Sequence, residues 1–171
     1  MGKIKVIAFV GKSGAGKDYI MKQYAKKYYC NIIVHTSTRP QREYEVNGVD
    51  YNFITDEEFN PADFIECATF NNWHYGTRYS DLDPNADNVG VFNPSGVRQL
   101  AARDDIDLTI IYVRASDKTR VLRQLNREDE PDVKEIIRRF STDEEDFKDD
   151  KDFMTLGKSY REVWNDDRVG Q

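Results

Sequence analysis

The stretch IKVIAFVGKSGAGKD, residues 4–18, decides the fold. Its first half, Ile4 to Val10, is an apolar run rich in β-branched residues, which is typical of a strand buried on both faces of a parallel sheet. Its second half, Gly11 to Asp18, fits the G-x-x-x-x-G-K-[ST] pattern of a phosphate-binding P-loop except at its last position. In that pattern, backbone N–H groups and the lysine bind phosphate oxygens, and the final hydroxyl binds Mg²⁺. Asp18 puts a carboxylate there, which either changes how the metal is held or marks a loop that is no longer catalytic.

The residues after the glycines support the P-loop interpretation. Ile20, Met21, Tyr24 and Tyr28 recur at helical spacing, so residues 17–28 are predicted to form a helix. A strand, a glycine loop and a helix in this order are the context that the motif requires. A glycine-rich turn without a ligand is the alternative, and this context disfavours it. We therefore expect a nucleoside triphosphate site.

Composition and charge exclude several classes of function. The chain has 171 residues and a net charge of −6, which fits one domain and argues against a general nucleic-acid-binding surface. Its two cysteines, Cys30 and Cys67, lack the spacing of a zinc site or a disulfide framework and indicate a reducing compartment. No apolar run is long enough for a signal peptide or a membrane span. We expect a cytoplasmic protein with no membrane or nucleic-acid partner.

The rest of the chain alternates strands and helices around an insertion. Patterning predicts strands at Asn31–Val34, Val89–Phe92 and Leu108–Val113, and helices at Pro94–Arg103, Ser116–Arg127 and Asp132–Lys148. Between residues 51 and 79, short alternating apolar and aromatic bursts predict a small antiparallel sheet. The acidic run from Asp143 to Asp152 predicts a solvated surface, and the final SYREVWNDDRVGQ fits either a helix or a strand.

A second motif, TSTRPQREYEVNGVDYNF, occupies residues 36–53. Arg39 and Arg42 flank a proline-containing turn, and guanidinium groups suit two-point contacts with a phosphate. Taken alone, two arginines in a polar loop are usually solvated, but Tyr51 and Tyr75 add O–H donors if the inserted sheet folds over them. The run resembles the monophosphate-binding segment of guanylate kinases, whose motif reads approximately S-x-T-T-R-x-P-R-x-G-E-x-x-G-x-D-Y-x-F.

The resemblance extends from Lys5 to about Phe140, because Glu66 and the Tyr75-Gly76-Thr77 element keep the spacing of the family. It implies that the monophosphate is held by Thr36, Arg39, Arg42, Tyr51 and Tyr75. It implies that Glu66 and Thr77 read the base, since a carboxylate accepts from two guanine donors and a hydroxyl donates to O6. It also implies that ATP is bound by Gly11, Lys12, Ser13, Gly14, Ala15, Gly16, Lys17 and Asp18.

By the same resemblance, the catalytic residues are Lys17 and the lid arginines Arg123, Arg127 and Arg139, although strict counting selects Arg138 over Arg139. The implied fold is a three-layer α/β/α P-loop protein with a parallel sheet. Its single domain consists of a core (1–34 and 89–123), a monophosphate-binding insertion (35–88), a helical lid (124–140) and a C-terminal segment (141–171). The implied reaction is Mg²⁺-dependent phosphorylation of GMP or dGMP by ATP, and we expect Asp18 to meet the metal.

Departures from the family pattern leave two alternatives open. Val91 and Asn93 stand where the family has two aspartates, and His35 stands where it has a serine, with Thr36 beside it. A kinase for another deoxynucleoside monophosphate would account for these changes, and the P-loop is also similar to those of phage deoxynucleotide kinases. A guanylate-kinase-like protein-binding module is the second alternative, but such modules typically lose the P-loop that is intact here. The ribose preference and the oligomeric state stay open.

Overall fold

A computed structural model describes residues 2–166 of the chain. Its strands are β1 (Ile4–Val10), β2 (Asn31–Ile32), β3 (Thr36–Ser37), β4 (Asn52–Phe53), β5 (Phe64–Phe70), β6 (Trp73–Arg78), β7 (Asn88–Val91), β8 (Ile106–Arg114) and β9 (Ser159–Trp164). Its α-helices are α1 (Lys17–Tyr28), α2 (Pro94–Ala101), α3 (Asp117–Leu125), α4 (Val133–Asp146) and α5 (Phe153–Leu156).

The main sheet has five parallel strands in the order β2-β7-β1-β8-β9. Its central strand β1 is buried along Val6 to Val10 because helices cover both faces, as the uninterrupted apolar run predicts. One face packs into a cluster with α2 and α5, and the other packs against α1. Because parallel neighbours end at the same edge, the P-loop after β1 and Asn93 after β7 lie on one side of the sheet.

Side-chain caps begin three of the helices where the sequence placed polar residues. Ser116 accepts a hydrogen bond from the backbone of Thr119 at α3, and Asp132 accepts one from Glu135 at α4. Asn93 does the same for α2 by accepting from the Gly96 N–H at 2.7 Å. This amide is therefore engaged in helix capping.

The insertion forms a four-stranded sheet in the order β4-β3-β6-β5. Two of its pairs, β3 with β6 and β5 with β6, are antiparallel as predicted. The pair of β3 with β4 is parallel, which was not predicted, because the long loop 38–51 returns the chain before β4 begins. The register places Glu66 on β5 directly opposite Thr77 on β6.

Two other segments refine the expectations. The predicted strand at residues 31–34 pairs only over Asn31–Ile32, after which the chain leaves the sheet toward the insertion. Within the segment that fitted either a helix or a strand, residues 159–164 form β9, which extends the sheet by pairing with β8 in parallel, and residues 167–171 lie outside the described residues. No helix in residues 2–166 combines the length and apolar character needed to span a bilayer.

Candidate active site

The P-loop lies between the end of β1 and the start of α1. Gly14 and Gly16 have φ angles of 81° and 84°, which the Cβ of other residues disfavours. A Cβ on Gly11 would lie 2.3 Å from the carbonyl oxygen of Val113, so only glycine fits between β1 and β8. Local geometry therefore requires glycine at these positions of the pattern, and Gly16 is the N-cap residue of α1, directly before Lys17.

The P-loop backbone is held from outside by side chains of two distant segments. The Arg123 guanidinium donates to the carbonyl oxygens of Gly14 and Ala15, both at 3.2 Å. The Asn165 amide donates to the Ala15 carbonyl at 3.0 Å. Because side chains from outside the loop bond both carbonyls, the protein itself fixes the backbone conformation of the P-loop.

Lys17, the lysine of the motif, is largely enclosed. Burial lowers its pKa, and the nearby carboxylate of Asp143 opposes that shift, whereas Arg127 and Arg120 add to it. A lysine that is desolvated among other cations binds an added anion strongly. Lys17, Arg120 and Arg127 therefore form a positively charged environment at the loop.

Asp143 departs from the prediction that the acidic run from Asp143 to Asp152 is a solvated surface. Its carboxylate is nearly buried and accepts a hydrogen bond of 2.9 Å from the Ser13 backbone N–H of the P-loop. Glu144 is exposed and forms an ion pair of 2.9 Å with Lys12. The prediction was wrong at Asp143 because the end of α4 packs on the P-loop, whereas Glu145, Asp146 and Asp149 are exposed as predicted.

Arg120 was missed by the sequence analysis. Its side chain is only 1% exposed, donates to the Ser13 carbonyl at 3.3 Å, and contacts the Asp143 carboxylate at 3.4 Å. Its guanidinium also lies over the Phe140 ring, 4.2 Å from the centroid. A usable signal was the helical periodicity of α3, which places Arg120 and Gln124 on the face that α4 covers.

Asp18 is exposed at the first turn of α1, where its carboxylate pairs with Lys22 at 2.9 Å. A surface pair of this kind is weak and leaves the carboxylate oxygens available to another cation. Within residues 2–166, no group of three or more His, Cys, Asp or Glu side chains is arranged to hold a metal. Asp18 supplies a hard oxygen donor of the type Mg²⁺ prefers.

At one end of the insertion, the loop between β3 and β4 contains a buried ion pair. The Arg39 guanidinium donates to both oxygens of Glu45, at 2.9 and 2.8 Å, and lies 5.5 Å from the centroid of the Tyr51 ring. Glu45 also accepts from the Arg42 backbone N–H at 2.8 Å, and the bond to Arg39 is the main reason that its pKa falls to about 2. Tyr75 lies against Tyr51, with ring centroids 6.2 Å apart. This arrangement brings the Arg39, Tyr51 and Tyr75 side chains together, whereas Arg42 joins it only through its backbone and its guanidinium donates to the Tyr44 hydroxyl at the surface.

At the other end, no cation within residues 2–166 lies beside Glu66. Its Oε1 accepts a 2.8 Å hydrogen bond from the Thr77 hydroxyl, and burial raises its pKa to about 7. The same Thr77 oxygen lies 2.7 Å from Nδ1 of His35. Burial lowers the pKa of His35 to about 4, so this imidazole is neutral at physiological pH.

A cavity of about 270 Å³ connects the two ends. It is lined by His35, Tyr51, Glu66, Ala68, Tyr75, Gly76, Val91, Phe92 and Asn93. Thr36 and Thr77 both lie outside this lining and are fully buried: the Thr36 hydroxyl donates to Asp81 at 2.7 Å, whereas the Thr77 hydroxyl donates to Glu66, which lines the cavity. We therefore revise the assignment of Thr36, which the resemblance placed at the monophosphate, to a structural one, because Asp81 engages its hydroxyl.

The lid arginines occupy different surroundings. Arg127 and Arg139 border one surface hollow of about 150 Å³ together with Glu135, whereas Arg138 is absent from its lining. Both Arg138 and Arg139 pair with Glu135, at 2.6 and 3.2 Å. The shared hollow favours Arg139 over Arg138 as the partner of Arg127.

Comparison with known proteins agrees with this architecture. The guanylate kinase of Malacoplasma penetrans is 41% identical over 86 residues, covering 47% of this chain and 44% of that protein. The guanylate kinase of Thermotoga maritima is 38% identical over 87 residues, covering 47% and 42%. Disks large homolog 4 of Danio rerio is 28% identical over 158 residues, covering 86% of this chain and 19% of that protein. The matches therefore span less than half the length of these relatives.

The fold and the family follow from two further matches. A crystal structure of guanylate kinase from Anaplasma phagocytophilum covers 97% of this chain and 78% of its own, with a TM-score of 0.55 and 17% identity, which shows a shared fold. The family model described as guanylate kinase matches residues 3–158. The chain therefore belongs to the guanylate kinase family.

Proposed function

We propose that this protein transfers the γ-phosphoryl group of ATP to GMP or dGMP, giving the diphosphate. The observation that carries the proposal is the cavity at the carboxyl edge of the sheet. One end presents the Tyr51 and Tyr75 side chains, with the buried Arg39 guanidinium 5.5 Å from the centroid of the Tyr51 ring, and the other presents a buried carboxylate, Glu66, beside which residues 2–166 place no cation. A purine monophosphate offers the complementary groups: a phosphate for the first end and, in guanine, two adjacent N–H donors for the second.

The donor side of the reaction is assigned to the P-loop. The residues proposed to bind ATP are Gly11, Lys12, Ser13, Gly14, Ala15, Gly16, Lys17 and Asp18. Phosphoryl transfer depends mainly on positioning and charge neutralisation, which suits Lys17 among Arg120 and Arg127. We propose that segment 124–140 acts as a lid whose Arg127 and Arg139 turn toward the transferred group, while Arg123 holds the loop backbone. Lid closure excludes water, so that the monophosphate is the acceptor.

We propose that Mg²⁺ accompanies ATP and that Asp18 faces it. When bound, the ion neutralises phosphate charge during transfer. Asp18→Asn keeps the shape of the side chain and removes its charge, so we expect the Mg²⁺ concentration for half-maximal activity to rise about tenfold. Asp18→Ser restores the hydroxyl of the motif and is the matched variant. Full activity and unchanged Mg²⁺ dependence in Asp18→Asn would show that Asp18 does not face the metal.

A coupled assay against a panel of nucleoside and deoxynucleoside monophosphates tests the proposed function. We expect turnover with GMP and dGMP and at least tenfold lower kcat/KM with AMP, CMP and UMP. Preference for another base would support the kinase alternative, which is favoured by the apolar Val91 and by the engagement of the Asn93 amide in capping α2. Absence of turnover with every acceptor would refute the enzyme and favour a binding module.

The cellular setting is part of the same proposal. Both cysteines within residues 2–166, Cys30 and Cys67, are free, and burial raises the pKa of each thiol. Thiols of this kind are unreactive and suit a reducing compartment. We therefore infer that the protein acts in the cytoplasm.

A further inference from the structure

We propose that His35 is a positioning residue that fixes the Thr77 hydroxyl as a hydrogen-bond donor toward the base. This inference rests on the function proposed above and adds a residue to its base-reading end. It starts from three linked side chains: His35 and Glu66 line the cavity, and the fully buried Thr77 between them contacts His35 at 2.7 Å and Glu66 at 2.8 Å.

The direction of this chain follows from counting hydrogens. A threonine hydroxyl has one hydrogen, and an ionised carboxylate has none. With Glu66 ionised, Thr77 donates to Glu66, and its oxygen can only accept from His35. His35 must therefore carry its hydrogen on Nδ1, and a neutral imidazole then has none on Nε2.

The surroundings of the ring hold it in this position. His35 packs edge-on against Phe92, with ring centroids 5.2 Å apart. The opposite edge of the ring lies close to Gly90: a Cβ added to Gly90 would be 3.2 Å from Nε2 of His35. The backbone carbonyl of His35 accepts from the Asn52 N–H at 2.7 Å, which ties this residue to β4. The imidazole is thus fixed by packing, and Nδ1 stays aimed at Thr77.

The hydrogen bond from His35 restricts the direction in which the Thr77 hydroxyl can donate. Because Nδ1 carries a hydrogen, the Thr77 hydrogen cannot turn to His35 and is available only to Glu66 or to a bound base. When guanine N–H groups occupy Glu66, the Thr77 hydrogen can transfer its bond to a carbonyl oxygen beside them. A 6-amino purine has an amino group where guanine has this carbonyl oxygen. Its hydrogens therefore face the hydrogen of the Thr77 hydroxyl, and two donors meet without an acceptor. His35 therefore favours 6-oxo over 6-amino purines by orienting the Thr77 hydroxyl.

Two variants separate the proposed role from simple packing. His35→Asn places an amide N–H near the position of Nδ1 but removes the ring, whereas His35→Phe keeps a ring against Phe92 but removes the donor. We expect His35→Phe to lower the GMP-to-AMP ratio of kcat/KM about tenfold and His35→Asn to stay within about threefold of wild type. An unchanged ratio in His35→Phe, or equal losses in both variants, would overturn the proposal.

The tautomer is measured independently of turnover. The chain has only two histidines, so ¹⁵N-detected long-range NMR of the folded wild-type protein at pH 8 resolves them. We expect the Nδ1-protonated pattern for His35, identified by its loss in His35→Asn, and an Nε2-protonated pattern would contradict the proposal. A wild-type protein that phosphorylates no monophosphate refutes the proposed function and the base-reading role with it. An active wild type with the wrong tautomer refutes this inference alone.

Discussion

Two buried glutamates of the insertion, Glu45 and Glu66, differ in their hydrogen-bond partners. Glu45 is held by both arms of the Arg39 guanidinium, and its pKa falls to about 2. Glu66 receives one hydroxyl, and burial raises its pKa to about 7. Both residues are less than a tenth exposed, so the presence or absence of a cation separates them.

Because their partners differ, the two carboxylates have different roles. Glu45 is satisfied within the protein, so it orients Arg39 and, through a backbone bond, the turn at Arg42. Glu66 is left without enough donors, and a buried acceptor in that condition gains free energy from any ligand that supplies them. We therefore propose that Glu45 supports the phosphate-binding end and that Glu66 recognises the base at the other end.

The largest expected effect comes from Glu66→Gln. The amide keeps one acceptor oxygen but presents N–H groups in place of the other, so one of the two guanine N–H donors meets a donor and loses its acceptor. We expect kcat/KM for GMP to fall roughly 100-fold or more and that for AMP to change by less than about threefold. Steady-state kinetics with both substrates measure the effect. Glu57→Gln, an exposed glutamate of the same insertion, is the matched control.

Glu45→Gln sharpens the comparison because the same chemical change acts at the other end. A neutral amide no longer holds Arg39 through two charge-assisted bonds, so the phosphate of every monophosphate loses part of its binding site. We expect roughly tenfold lower kcat/KM for GMP and AMP alike, measured in the same assay. A change in the GMP-to-AMP ratio would contradict the assignment of Glu45 to the phosphate end.

Gly96→Ala should produce the smallest effect. A Cβ at this position would lie 3.0 Å from Oε2 of Glu66, so the carboxylate must shift by a few tenths of an ångström. We expect KM for GMP to rise about threefold with kcat unchanged, because a displaced acceptor weakens binding in the ground and transition states alike. Gly2→Ala is the control, since its Cβ would meet nothing within 4 Å. Equal KM values in the two variants would show that Glu66 does not contact the substrate.

Sequence reasoning recovered the features that depend on local spacing. The strand Ile4–Val10, the glycine loop and the helix from Lys17 are determined by nearby residues, and the structure matches them. The opposition of Glu66 and Thr77 follows from their motif because both lie on one hairpin. Patterns of this kind predict structure well when the interacting residues are close in the chain.

Features that depend on distant contacts were not predictable in the same way. Asp143 lies 130 positions from Ser13, and nothing in an acidic run indicates that one of its carboxylates reaches a backbone N–H. His35 could be interpreted as a packing residue, since its bond to Thr77 exists only after β3 and β6 pair. The sequence placed Thr36 at the monophosphate, but neighbouring side chains of an extended segment point to opposite faces. His35 therefore lines the cavity, and Thr36 bonds to Asp81.

The central claim is that Glu66 reads the base as a carboxylate without a cation, and the pH dependence of GMP affinity tests it most directly. A folded-state pKa of about 7 means that the ionised, guanine-binding form is lost as the pH falls through 7. The second ionisation of the GMP phosphate, near pH 6, affects wild type and Glu66→Gln alike. Calorimetric Kd values for both proteins at pH 8 and pH 6 therefore isolate the contribution of Glu66. We predict that the affinity advantage of wild type over Glu66→Gln shrinks about tenfold between pH 8 and pH 6, and an advantage that is the same at both pH values would contradict the account.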